Sequence, residues 1–240
     1  MLLHRRVDKM ALYTISDLHL SLGVDKPMDI FGGAWTGYEE KLRENLSVLK
    51  DDDTIVFPGD ISWGISLDEA LEDFRFIDSF PGRKIIVKGN HDLWWDTVSK
   101  MRRFFQANGI GSIDFLHNNC FFYGDIALCG TRGWFFEEEQ GQAHDEKIMA
   151  REVGRLETSL KAGAAGAGRI FCFMHYPPIF QRYVCREITE MLTRYGVERC
   201  FYGHLHSASH RKAFEGTEGG VRYTLVSGDY VGFDPILIKE

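Results

Sequence analysis

Residues 10–19 read Met10-Ala11-Leu12-Tyr13-Thr14-Ile15-Ser16-Asp17-Leu18-His19. The run from Ala11 to Ser16 carries no Gly or Pro and is rich in apolar and β-branched side chains, so it reads as a buried strand. Directly behind it stand a carboxylate and an imidazole two residues apart. In extended chain such residues face the same side, where both can grip one ion. The same arrangement recurs along the chain. Thr54–Phe57 runs into Gly59-Asp60, and Lys84–Val87 into Gly89-Asn90-His91-Asp92. Ile170–Met174 runs into His175, and Arg199–Tyr202 into Gly203-His204-Leu205-His206. Five of the nine histidines fall in these segments. Strand ends of an open α/β sheet converge on one edge, where such folds place their sites. Residues separated by most of the chain can therefore meet.

Between these strands the pattern turns helical. Tyr38–Leu49 has Leu42, Leu46 and Leu49 at helical spacing. Leu67–Phe80 is read as a helix with Asp68 and Glu69 in its first turn, where the helix dipole favours acids. Asp96–Asn108 is read as a helix stopped by Gly109. This alternation implies parallel strands with right-handed crossovers. The middle differs: Cys120–Tyr123 and Ile126–Cys129 flank Gly124-Asp125 as a hairpin, and a loop over Gly130–Gly141 precedes a helix over Gln142–Ala162. Arg186–Tyr195 reads as a helix. The end reads as antiparallel strands at His210–Phe214, Arg222–Val226 and Ile236–Lys239. Two β-rich halves that both deliver ligands define an α/β (α+β) class: a two-sheet sandwich flanked by helices, within a single domain over 1–240 and with residues 1–9 as a loose tail.

Composition excludes several classes. Hydrophobic residues make up 44% and charged residues 26% of the 240, as in an ordinary globular protein. A net charge of −7 argues against a dedicated binder of long nucleic acid, which would show a basic face. No apolar stretch approaches the ~20 residues of a membrane span. The start, Met1-Leu2-Leu3-His4-Arg5-Arg6, lacks the apolar segment of a signal peptide. The five cysteines have no CxxC spacing, and Cys129, Cys172 and Cys200 lie in strand-like runs. Buried thiols in a reducing, cytoplasmic setting are expected.

Taken together, Asp17, Asp60 and Asn90 supply oxygen donors and His19, His175, His204 and His206 supply imidazoles. That set is too large for one ion and suits two, with positions left for water and substrate. A central carboxylate such as Asp60 can bridge two cations roughly 3.5–4 Å apart. Mixed nitrogen and oxygen donors suit two divalent ions of Mn or Fe, with Zn also compatible, better than Ca or Mg.

These five blocks, in this order from Asp17 to His206, resemble the calcineurin-like metallophosphoesterase superfamily, most of all its bacterial and archaeal stand-alone phosphoesterases. Each block alone is weak; five in sequence are specific. The resemblance implies a four-layer α/β/β/α sandwich with two mixed sheets between helices. It implies that Asp17, His19, Asp60 and His206 hold one metal and that Asp60, Asn90, His175 and His204 hold the other. A hydroxide bridging the two ions would then attack phosphorus in line. By the same resemblance His91 contacts the phosphoryl group and protonates the leaving oxygen, and Asp92 is read as the carboxylate that fixes the His91 tautomer. Position 63 is Trp where purple acid phosphatases place a metal-binding Tyr, so their ferric charge-transfer chemistry is not expected. The pair after Asn90 is His-Asp where protein Ser/Thr phosphatases read His-Glu, and their phosphate-binding arginines have no match here.

The remaining candidates surround this cluster. Trp35, Trp63, Trp94, Trp95, Trp134, Phe135 and Phe136 all lie near strand ends. They are read either as a grip for a base, sugar or lipid moiety or as caps on the sheet edge or a subunit contact. Arg132 is a candidate for a second phosphate, Glu137-Glu138-Glu139 a solvated charge run, and His4, His117, His144 and His210 are surface or loop residues. The expected activity is hydrolysis of a phosphomonoester or phosphodiester in a small phosphorylated substrate. The rivals are a catalytically decayed metal-binding regulatory module and a pyrophosphatase acting on a nucleotide-linked lipid precursor.

Overall fold

Alternation within single strands shows how the chain is layered. In the computed structural model, which describes residues 10–134 and 142–239, Ile55 and Phe57 join one apolar cluster while Val56 between them joins another. In chain order the elements are β1 (Leu12–Thr14), α1 (Tyr38–Leu46), β2 (Thr54–Phe57), α2 (Leu71–Asp78), β3 (Arg83–Ile86) and α3 (Val98–Ala107). Then follow β4 (Ile113–Phe115), β5 (Phe121–Tyr123), β6 (Ile126–Thr131), α4 (Gln142–Ala164) and β7 (Arg169–Met174). The remainder is β8 (Ile179–Phe180), β9 (Tyr183–Val184), α5 (Arg186–Arg194), β10 (Arg199–Tyr202), β11 (Gly216–Glu218), β12 (Val221–Leu225) and β13 (Ile236–Lys239).

The first sheet runs β13-β1-β2-β3-β4, parallel except for β13. The second runs β11-β12-β10-β7-β6-β5, with a parallel centre and antiparallel edges at β11 and β5. Both are mixed sheets, as expected. Three apolar clusters lie between four layers. Leu42, Leu46, Phe74, Ile77, Met101 and Phe105 of α1–α3 pack with the outer residues of the first sheet. Leu156 and Leu160 of α4 and Ile188 and Leu192 of α5 pack with Ala127, Cys172 and Tyr202 of the second. Between the sheets, Val56, Ile85 and Val87 meet Phe171, Phe173 and Phe201. Strand β7 alternates between the two clusters residue by residue, because side chains of a strand point to opposite faces. Each fully buried Phe of this inner layer contributes about 1.5–3 kcal/mol.

Four local readings change. His210–Phe214 is not a strand; Ser207–Lys212 forms a 3₁₀ turn instead, closed by Ser209 N–H to His206 O. The run Ser209-His210-Arg211-Lys212 offers no apolar face for a sheet to cover. The antiparallel partner of β12 is β11, six residues later than expected at its start. The last strand, β13, is antiparallel as expected, but its partner is β1 of the first sheet, so the closing strands do not form one antiparallel set. The α2 helix starts at Leu71, after a turn in which Ala70 N–H reaches Ser66 O and the Glu69 carboxylate binds Ile65 N–H. The first-turn acids are therefore Glu72 and Asp73 rather than Asp68 and Glu69.

Candidate metal centre

Every donor singled out in the sequence stands just past the C-terminal end of a parallel strand. Asp17 and His19 follow β1, Asp60 follows β2, Asn90 follows β3, His175 follows β7, and His204 and His206 follow β10. Backbone hydrogen bonds hold the strand ends together: Asp17 N–H donates to Gly59 O at 2.9 Å and His19 N–H to Asp60 O at 3.0 Å. The two sheets are tied across the site by His204 N–H, which donates to Asp17 Oδ1 and Oδ2 at 3.1 and 3.0 Å. Glycines make this convergence possible. A Cβ on Gly89 would lie 2.1 Å from Asp60 Oδ1, and one on Gly203 would lie 2.2 Å from Asp17 Oδ2. The donors themselves carry strain: Asp17, Asp60 and His204 have φ of 58°, 54° and 72°. Such left-handed backbone in non-glycine residues costs about 1–3 kcal/mol each and clusters at functional sites.

The side chains form a continuous row of donor atoms with Asp60 at its centre. Asp17 Oδ1 lies 3.2 Å from His206 Nε2, which lies 3.2 Å from His19 Nε2. His19 Nε2 is 3.7 Å from Asp60 Oδ2, and that oxygen is 3.5 Å from His175 Nε2. Beyond it, Asn90 Oδ1 is 2.5 Å from His175 Nε2 and 2.9 Å from His204 Nδ1. Asp60 Oδ1 takes the His91 backbone N–H at 2.8 Å, whereas Oδ2 is buried without any hydrogen bond. A buried carboxylate oxygen in that state is costly unless a cation meets it. The donor set therefore fits metal ions, with Asp60 Oδ2 facing both halves of the row. Asp17, His19 and His206 converge as one possible cation group, and Asp17, Asp60 and His175 as another.

Ring orientation supports the same use. His175 Nδ1 is 3.1 Å from Pro58 O, so that nitrogen carries the proton and Nε2 turns its lone pair inward. His206 Nδ1 is 2.8 Å from Asp229 Oδ1, leaving Nε2 for the site. His19 has no hydrogen bond at Nδ1; its ring is instead stacked on Trp63 at 4.8 Å and edged by Trp35 at 5.7 Å. Burial pushes His19 well below the ordinary imidazole range, His175 to about 4 and His204 to about 3. Burial thus favours the neutral imidazole, the form that binds metal, at all three. Burial opposes charge on His206 too, yet Asp17 and Asp229 raise it to about 10. Burial, then Asp92 and Asp17, push the Asp60 carboxyl well above its usual range. The field at this point attracts positive charge.

The residues around the row are placed as follows. His91 is exposed at the mouth, its ring 4.6 Å from Trp63 and 5.6 Å from His19. Asp92 is not its partner, contrary to expectation. Its oxygens accept the backbone N–H groups of Gly89, Asp60, Ile61 and Ser62 and the indole N–H of Trp94, which saturates the carboxylate and turns it inward. Asp92 thus fixes the loops that carry Asp60 and Asn90. Trp94 is likewise no substrate contact, being 2% exposed in the first-sheet core. Trp35 and Trp134 are also buried, the latter donating to Asp145 Oδ1 at 3.1 Å. Trp63 stays half-buried beside His19 and His91, with Lys26 Nζ 3.2 Å from its ring centre. Arg132 is half-buried beside Glu152 at 3.5 Å. His210 leaves its expected surface role and packs on Asp229 at 3.3 Å. Phe135, Phe136, Glu137-Glu138-Glu139 and His4 lie outside the described residues, as does the His144 side chain. Asp229 was missed in the sequence; its signal was Ser227-Gly228-Asp229 just past β12, the same strand-Gly-Asp order as at Asp60.

Strand-end donors from two stacked sheets define a class, and sequence comparison gives it a name. The chain belongs to the calcineurin-like phosphoesterase family, whose model matches residues 10–208. It is a metal-dependent phosphoesterase. Among solved structures it is similar to the protein of unknown function AQ665 from Aquifex aeolicus, at 20% identity over 95% of this chain and 96% of that one, with a TM-score of 0.51. It is also similar to the phosphopantetheinyl hydrolase from Mycobacterium tuberculosis, at 17% identity over 91% of this chain and 89% of that one, with a TM-score of 0.56. At these identities the likeness is one of fold. No curated protein matches the chain.

Proposed function

We propose that this chain hydrolyses phosphomonoester or phosphodiester bonds in a small-molecule substrate at a centre of two divalent metal ions, Mn and/or Fe, with Zn also compatible. Asp17, His19, Asp60 and His206 would hold one ion, and Asp60, Asn90, His175 and His204 the other. The observation that carries this reading is the bare, buried Oδ2 of Asp60, 3.7 Å from His19 Nε2 on one side and 3.5 Å from His175 Nε2 on the other. When bound, such ions polarise phosphoryl oxygens and supply hydroxide near neutral pH.

The protein's own groups do the rest. His91 N–H holds Asp60 Oδ1 and thereby aims Oδ2 into the row. The exposed His91 ring meets the phosphoryl group and delivers a proton to the leaving oxygen. Partial desolvation of the ring beside Trp63 and His19, then Lys26, lowers its pKa from the ordinary 6.5, and the negative charge of an arriving phosphoryl group favours the imidazolium again. Asp92 keeps the two loops in register through its four backbone contacts.

Five free cysteines, four of them buried, support a cytoplasmic setting. No helix among the described residues is long and apolar enough to cross a membrane. The net charge of −7 favours a small substrate over long nucleic acid. We read residues 1–240 as a single domain. The test is turnover of p-nitrophenyl phosphate and bis-p-nitrophenyl phosphate by manganese-loaded protein, with metal content measured alongside. Turnover of at least one at two ions per chain is the expected result. Full metal occupancy with no turnover of either would favour a decayed metal-binding module.

One observation favours a second reading, a pyrophosphatase acting on a nucleotide-linked lipid precursor. Leu22, Ile65 and Leu93 are large, exposed and apolar, and they lie within three residues of His19, Trp63 and His91 respectively. An apolar rim suits a substrate with a hydrocarbon tail, and faster hydrolysis of a lipid-linked diphosphate than of p-nitrophenyl phosphate would select it.

A further inference from the structure

We propose that the basic cavity formed by Lys88, His117, Arg132, Arg151 and Arg155 is a subsite for a second phosphate of the same substrate molecule. The inference rests on the phosphoesterase reading above and narrows its substrate class to small molecules carrying two phosphate groups.

Position comes first. The cavity measures about 460 Å³ and also touches Trp95 and Ile148. Lys88 precedes the donor Asn90 by two residues, about 7 Å of extended chain. Arg132 follows β6, and its carbonyl accepts the amides of His175 at 3.2 Å and Tyr176 at 2.8 Å. One wall of the cavity is therefore continuous with the segments that bear Asn90 and His175. The subsite requires that a substrate with its scissile phosphate over the donor row place its second phosphate in this cavity, where Trp95 supplies an apolar wall.

Charge comes next. Four Lys and Arg side chains face two acids, Asp96 and Glu152. Asp96 is taken by Lys100 at 2.5 Å. Glu152 is shared: Oε1 binds Arg155 at 2.5 Å and faces Arg132 at 3.5 Å, while Oε2 accepts Thr131 Oγ1 at 2.6 Å. Among the described residues Lys88 and Arg151 have no ion pair. Arg151 and Arg155 sit four apart on α4, a spacing at which like charges destabilise a helix. Glu152 offsets only part of this positive charge, and an anion would balance the rest. Burial, then the charge of Arg155, holds the His117 imidazole below its ordinary range.

Donor geometry selects phosphate. The Arg132 guanidinium is held between Glu152 and the Trp134 ring, 4.9 Å from its centre. Its Nε is buried and has no hydrogen-bond partner. A fixed guanidinium with a free N–H beside further arginines matches the forked recognition of a tetrahedral dianion.

The test is titration calorimetry on the manganese-loaded full chain with fructose 1,6-bisphosphate and fructose 6-phosphate as probes. The bisphosphate is expected to bind at least about tenfold more tightly. Arg151→Glu, on the exposed face of α4, is expected to cut that preference below about twofold. Arg132→Met should do the same; if it fails to fold, the Arg151 variant decides alone. Equal affinities in the unmodified protein, or a preference that survives R151E, would overturn the subsite. A preference abolished by R151E in a protein that hydrolyses neither nitrophenyl ester would retain the subsite and remove the phosphoesterase reading. Hydrolysis without the preference would do the reverse.

Discussion

Asp229 Oδ1 lies 2.8 Å from His206 Nδ1, and this contact decides which ring nitrogen faces the donor row. The other oxygen accepts Ser207 N–H at 3.0 Å, so the carboxylate also holds the turn behind the histidine. Carboxylates behind metal-binding imidazoles raise ligand basicity and fix the tautomer. Asp229→Ala is expected to weaken manganese binding by about 10–100-fold while leaving the far-ultraviolet circular dichroism unchanged. Competition with a fluorescent chelator measures it. Unchanged affinity would show that His206 needs no orienting carboxylate.

Asp60 joins the two halves of the row through one oxygen. Asp60→Asn keeps the size of the side chain but removes its negative charge. Elemental analysis of the variant after gel filtration in manganese is expected to show loss of both ions, together with nearly all activity. Binding that favours the folded state raises the melting temperature by mass action. Manganese should therefore stabilise the unmodified protein and leave the variant unmoved. An Asp60→Asn protein that retains two ions would show that Asp60 is not shared.

His91 makes a different prediction because only its backbone touches a donor. His91→Ala preserves the N–H that holds Asp60 Oδ1, so manganese stoichiometry should stay at the unmodified level. Turnover of p-nitrophenyl phosphate should fall by about 10²–10⁴-fold, as when a general acid is removed. Loss of metal in this variant would assign the His91 ring to binding rather than proton delivery.

Much of this site was legible because each donor sits one to five residues beyond a strand with a strong apolar signature. Val56, Phe173 and Phe201 have no competing helical pattern, so their strands, and the turns after them, stand out in the sequence. Three kinds of feature escaped. Short edge elements such as Ile113–Phe115 are set by pairing with β3, not by local preference. The return of β13 to β1 is a pairing across most of the chain that no local pattern specifies. Asp92 looked like a partner for its neighbour His91, yet burial turned it toward four amides and an indole that are distant in sequence or point inward. Adjacent residues in a loop carry no information about which way each side chain turns. Asp229 escaped because the strand before it was recognised without its trailing Gly-Asp being read as a ligand-bearing end.

Asp73 yields a prediction about pH that does not involve the donor row. It lies fully buried on α2, accepts the Ser62 hydroxyl and takes Leu22 N–H at 2.8 Å. Burial raises its carboxyl from the ordinary 3.8 to about 6, against the pull of those two donors. Between these values the folded protein keeps a proton that the unfolded chain has released. Stability contributed by Asp73 is therefore present below the unfolded value and is lost as pH rises through about 6, then stays flat. The full swing is on the order of 3 kcal/mol. Asp73→Asn lacks this titration and can still accept from Leu22. The melting temperature of the variant relative to the unmodified protein should climb between pH 4 and pH 7 by roughly 5 °C. Scanning calorimetry of both proteins across that range checks it. Parallel curves would mean that Asp73 is ionised throughout and that its two donors outweigh its burial.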